Sequence, residues 1–167
     1  MRRSSRKQAG FTLVELLISM CIAAILGSIA IAQLRDYTRR ARVSEVVMAT
    51  SQCKNAITEN YATLDSAPPA GGWGCEGSSS GTEYAGAVQT STDGVIRVAV
   101  RNLDGLINGH FVYLVPARSS GAAMITPDDL GRSVQSWICG SDWQPIRNAL
   151  PSNCRTDTTT YASQDFN

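Results

Sequence analysis

The 167-residue chain is 43% apolar and 17% charged, with 15 basic and 14 acidic residues and a formal net charge of +1. This balance fits one modest globular domain and excludes a disordered acidic or basic chain. Four basic residues and no acid lie in the first ten positions (Arg2, Arg3, Arg6, Lys7), and from Lys54 onward seven basic residues face eleven acidic ones, a net of −4, which argues against a generic electrostatic grip on nucleic acid.

The basic start is followed by Gly10-Phe11-Thr12-Leu13-Val14-Glu15 and then by residues 16–34, which carry no charge. Nineteen helical residues rise about 28 Å, close to the roughly 30 Å hydrocarbon core of a bilayer. A buried helix of a soluble domain would show a polar face, whereas between Leu16 and Ile31 only Ser19, Gly27 and Ser28 interrupt the apolar run. No small-residue cleavage site of the A-x-A kind follows, so the segment is expected to stay in the mature protein. The basic leader favours a cytoplasmic N-terminus and export of the remainder, although Arg35, Arg39, Arg40 and Arg42 flank the other end.

Glu15 is costly so close to a membrane-length apolar helix. One reading places it in the first helical turn, stabilised by the helix dipole and wetted at the headgroups. The other pairs it with a cation on another chain, for which a newly exposed α-amino group would serve.

The run Gly10-Phe11-Thr12-Leu13-Val14-Glu15-Leu16, behind a basic leader and ahead of an apolar helix, resembles the class III signal of type IV pilins and related pseudopilins. The resemblance implies that a prepilin peptidase cuts between Gly10 and Phe11 and methylates the new N-terminal Phe11. It also implies that Glu15 contacts the N-terminal amine of a neighbouring subunit during filament assembly. Where many members have a helix-breaking glycine and proline, this chain has Ala24 and Ala32, leaving Gly27 as a weak point.

Beyond the apolar run, Val43, Val46, Thr50, Cys53, Ile57, Tyr61 and Leu64 recur at spacings of three and four, which predicts a helix continuing to about Leu64. Residues 65–72, rich in proline and glycine, end it. Residues 73–94 read as a long surface loop with a weak strand signal over 84–88. Alternation then predicts strands over 96–101, 111–115, 122–126 and 134–139, with a glycine-bearing turn over 103–109. The expected fold class is α+β, a long N-terminal helix packed on an antiparallel sheet of about four strands, with a polar, mobile tail over 155–167. The expected organisation is a removable leader (1–10), a transmembrane and filament-core helix (11–34), an amphipathic helix (35–64), a variable loop (65–94) and a sheet with a terminal disulfide-bounded region (95–167).

Five cysteines are present; Cys21 lies in the apolar run and is the odd one. In an oxidising compartment Cys53, Cys75, Cys139 and Cys154 allow three connectivities, of which nearest neighbours give Cys53–Cys75 and Cys139–Cys154. The stretch between Trp137 and Cys154 resembles the disulfide-bounded D-region of type IVa pilins. No C-x-x-C pair supports zinc, and Asp128-Asp129 is a weak calcium signal that fits turn or cap residues better. His110 reads as a strand-edge residue, and no triad or phosphate loop is evident. No catalytic residue, metal or cofactor is expected, and the chain reads as a structural subunit.

The leading expectation is a major subunit of a type IVa pilus. It is a homopolymer whose partners are the prepilin peptidase and the inner-membrane assembly machinery, and it serves twitching motility, adhesion and DNA uptake. The alternatives are a minor or competence pilin that binds DNA through Arg97, Arg101 and Arg118, a type II secretion pseudopilin, and a membrane-anchored domain that never polymerises. A solvated sheet face explains the three arginines better than DNA does.

Overall fold

The structure is a computed structural model that describes residues 10–77 and 82–167. The basic leader residues Arg2, Arg3, Arg6 and Lys7 lie outside the described residues. The chain divides into two compact units, Met1–Tyr37 and Thr38–Asn167. Helix α1 spans Leu13–Ala49 and helix α2 spans Ser51–Thr63. Between them Thr50 is buried, and its Oγ1 donates to the Val47 carbonyl at 2.6 Å, so the predicted long helix runs through one tight turn and on to Thr63. Five of the seven residues that predicted the helix face, Val43, Val46, Cys53, Ile57 and Tyr61, are fully buried hydrophobics. Leu64 is the extended C-cap, with ψ 141°, where the proline-rich segment takes over.

The second unit holds a five-stranded sheet in the order β1 (Ala85–Thr90), β2 (Ile96–Val100), β3 (Phe111–Ala117), β4 (Ser136–Ser141) and β5 (Thr156–Asp157). The first three pairings are antiparallel, as expected for a sheet of about four strands; β4 and the two-residue β5 add one parallel pairing at its edge. A short helix, α3 (Gln144–Ala149), links the last two strands.

Three sequence expectations are corrected. Residues 73–94 are not all surface loop, since 85–90 form β1 and Trp73 is only 2% exposed, its Nε1 donating to the Ser91 carbonyl at 2.8 Å. The strand expected over 122–126 is absent apart from a bridge between Ala117 and Ala123. Its physical reason is competition: the Ile125 amide donates to the Asp129 carboxylate and the Thr126 amide to Asp93, so side chains take the donors a ladder would use. The tail is packed rather than mobile, because residue Asn167 exchanges backbone hydrogen bonds with Thr90 and Phe166 bridges Ser91.

The packed tail follows from β3, an apolar run buried on both faces. Val112 and Leu114 join the main core with α2, Trp73, β1 and β2, whereas Tyr113 and Val115 form a second cluster with Val95. A sheet face this apolar needs a cover, and Tyr161, Ala162 and Phe166 of the tail supply it. In the main core, Tyr61 stacks on Trp73 with ring centroids 5.3 Å apart. Gly94 closes that packing at φ +69°, where an added Cβ would press on Ile57, Trp73 and Tyr61.

Candidate assembly segment and disulfide-bounded region

Phe11 and Thr12 precede α1, and Thr12 Oγ1 accepts a hydrogen bond from the Glu15 amide at 3.3 Å. Thr12 is therefore the N-cap and Glu15 the third helical residue, the T-x-x-E spacing of a capping box. The carboxylate thus sits in the first turn, where free amides and the helix dipole favour a negative charge. Both features were legible as residue types, but the cap geometry that ties them together was not foreseen.

After Glu15 the helix presents apolar side chains all round. Phe11 is 73% exposed and Leu13 78%, and Leu16, Leu17, Ile18, Ile22, Ile25, Leu26 and Ile29 are all more than half exposed. The helix is long and apolar enough to cross a membrane, and its apolar stretch is nowhere buried. Its serines do not break that character. Ser19 donates to the Glu15 carbonyl and Ser28 to the Ile25 carbonyl, both at 2.7 Å, so their hydroxyls are satisfied within the helix. Ala24, Gly27 and Ala32 lie within unbroken helix, and Cys21 is a free, exposed thiol.

The other four cysteines form two bridges, Cys53–Cys75 and Cys139–Cys154, with Cα–Cα distances of 5.0 and 4.4 Å. The first fastens the segment after α2 to that helix, and Glu76 completes the junction. The Glu76 carboxylate accepts the amides of Trp73 and Cys75 at 2.9 and 3.0 Å and the hydroxyl of Thr90 on β1. Burial pushes its pKa up, but these hydrogen bonds together outweigh that and hold it below the ordinary carboxylate value. The second bridge encloses α3. Arg147 from that helix donates to the Ser141 carbonyl at 2.8 Å and pairs with Asp157 of β5 at 3.3 Å. His110 is stacked on Trp143 at 4.4 Å, and the indole Nε1 donates to the Leu106 carbonyl, which places this histidine in a ring contact beside β3.

The three arginines considered for DNA are each held locally. Arg97 lies between Phe111 and Phe166, 4.7 and 4.1 Å from the ring centroids, and its Nε donates to Gln89. Arg101 donates to the Thr82 carbonyl at 2.8 Å. Arg118 grips Asp129 through Nε and Nη2, at 2.7 to 3.0 Å. Asp129 is only 1% exposed, and the hydrogen bonds from Arg118 hold its pKa below the usual carboxylate range against the opposing effect of burial. Nothing in the sequence linked Arg118 to Asp129 across eleven positions. Asp128-Asp129 read as turn residues, whereas Asp129 is a buried clamp.

Comparison with known proteins agrees with this architecture. The family described as pilin, a bacterial filament protein, matches residues 39–155, and the prokaryotic N-terminal methylation motif matches residues 5–31. A fimbrial protein of Neisseria meningitidis serogroup B is 30% identical over 161 residues, covering 93% of this chain and 85% of that protein. The type IV major pilin protein PilE of Neisseria gonorrhoeae is 29% identical over 162 residues, covering 91% and 84%. A fimbrial protein of Pseudomonas aeruginosa is 32% identical over 167 residues, covering 89% and 97%. The chain belongs to the pilin family. It is a structural filament protein and not an enzyme.

Proposed function

We propose that this protein is a major subunit of a type IV pilus, made as a membrane-anchored precursor and assembled into an extracellular homopolymer. The observation that carries this reading is the apolar surface of the helix from Phe11 onward, exposed on every side behind a capped first turn that holds a single acid. Before assembly that surface suits lipid, with the leader on the cytoplasmic side of the inner membrane. In a fibre the same surface packs against copies of itself. In this reading a prepilin peptidase cuts between Gly10 and Phe11 and methylates Phe11. Glu15 then pairs with the neighbouring subunit's amine and sets the axial register as the assembly machinery adds each copy. Twitching motility, adhesion and DNA uptake are the roles such a fibre would serve.

Intact mass spectrometry of protein sheared from the native cell surface, with and without reduction, tests the proposal. The expected species is abundant, begins at methylated Phe11, and gains the mass of four hydrogen atoms when a reductant opens its two bridges. A chain still beginning at Met1 would overturn it. Processed protein absent from the sheared fraction would favour a minor pilin or a pseudopilin. The Glu15→Val variant should be processed normally yet give at least tenfold fewer pili, as expected when a carboxylate loses an ionic partner in a poorly hydrated setting. Wild-type pilus yield from that strain would remove Glu15 from the assembly step.

A further inference from the structure

We infer that the β3–β4 connection forms a binding site for a carboxylate-bearing sugar unit. A cavity of about 370 Å³ opens there, within the size range of small-ligand pockets. Arg118 and Arg132 line it, with the hydroxyls of Ser119, Ser120 and Ser133 and an apolar wall from Met124.

Arg118 is held in advance. Asp129 engages both Nε and Nη2 of Arg118, which fixes the plane of the guanidinium and leaves Nη1 without a partner among the described residues. Asp129 is itself pinned by the Ile125 amide at 2.9 Å, and its loop is tied down where the Gly131 amide donates to the Tyr61 carbonyl at 2.8 Å. Arg132 approaches the same carboxylate only to 4.0 Å and is 68% exposed, so most of its donors stay available.

Asp129 and Asp128, whose field also reaches Arg118, formally balance the two guanidinium groups, but neither carboxylate lines the cavity and both arginines do, so the positive surplus is local to its wall. Such a surplus suits a single oxyanion and not a polyanion, in keeping with the acidic balance of the chain beyond Lys54. The cavity exceeds the needs of a bare inorganic anion, and its serine hydroxyls match a ligand rich in hydroxyl groups. A uronic-acid unit combines the two, with its carboxylate on the arginine pair and its ring hydroxyls on the serines.

The test is isothermal titration of the full-length protein in detergent with digalacturonate, with maltose, inorganic phosphate and a short DNA duplex as comparators. Digalacturonate should bind more tightly than the other three, and Arg132→Gln should weaken it about tenfold, as loss of one charged contact does. Because Arg132 is exposed, that variant should melt at the wild-type temperature, and Ser133→Val should weaken the sugar while leaving phosphate binding unchanged. Digalacturonate binding no better than maltose, or unaffected by Arg132→Gln, would overturn the site. Phosphate binding as tightly as digalacturonate, or DNA more tightly, would overturn the sugar assignment. These readouts concern dissolved subunits, so they stand or fall independently of pilus assembly.

Discussion

Gly140→Ala should detach the last strand of the sheet, and the tail that follows it, from the rest of the head. Gly140 lies in β4 opposite Thr156 of β5, and a Cβ built there would overlap the Thr156 carbonyl oxygen and lie 2.7 Å from its carbonyl carbon. The obstacle is backbone, so no rotamer change relieves it. Neighbouring Cys139 is bonded to Cys154, which prevents the two segments from drifting apart freely. The strain must therefore fall on β5, on the contact between Arg147 and Asp157, and on the hydrogen bond from the Thr158 amide to Ser141. Loss of β5 would also uncover Tyr113 and Val115, because Tyr161 and Phe166 follow it in the chain. We expect a loss of about 3 kcal/mol, the upper end for overpacking, and fast hydrogen exchange across residues 156–167. Gly105→Ala, where nothing lies within 4 Å, is the control. Equal melting temperatures for the two variants would show that β5 yields without cost.

Asp129→Asn should lower stability by about 2–3 kcal/mol at pH 7, because a neutral amide cannot hold the Arg118 fork and the Ile125 amide as a carboxylate does. The variant should also change the response to acid. The folded carboxyl titrates below its unfolded value of 3.8, so its stabilisation is complete above that value and is lost as pH falls through the folded pKa. The wild-type melting temperature should therefore drop on acidification below about pH 4. The variant should start lower and fall less steeply. Some slope remains because Glu76 and Asp157 are shifted in the same direction. Parallel curves of melting temperature against pH would remove Asp129 from the acid response. Thermal scans of the full-length protein in detergent, oxidised throughout, provide the comparison.

The helix face was legible in the sequence because burial against one sheet forces a single periodicity, which Val43, Val46, Cys53, Ile57 and Tyr61 carry up to the half-buried C-cap Leu64. Strand β2 was legible for the same reason, with Ile96, Val98 and Val100 buried and Arg97 and Ala99 half-buried. Strand β1 was only a weak signal, because its residues are mostly small. Gly86 packs so closely on Ala99 that a Cβ there would approach within 3.1 Å, and a residue chosen for smallness leaves little hydrophobic trace. The tail was misread because Tyr161 and Phe166 are sparse among threonines and acids, and β5 has only two residues. The clamp at Asp129 was invisible because its partner, Arg118, lies eleven residues earlier in the same connection, a spacing that no helix or strand period marks. The N-terminal segment was read from residue identity, since an exposed apolar helix takes its meaning from other molecules.

The Cys53–Cys75 bridge also bears on tension. In the proposed fibre a subunit under load would be pulled through its helices, and in a head held only by side-chain packing α2 would be free to peel from the sheet. Here a covalent bond joins α2 to the segment that Glu76 fastens to β1 through Thr90. Force entering α2 passes at Cys53 into that segment and so into β1, where antiparallel strands share it among many hydrogen bonds. In the proposed fibre the bridge would thus give a pulled helix a covalent path into the sheet, a contribution that equilibrium stability alone does not describe.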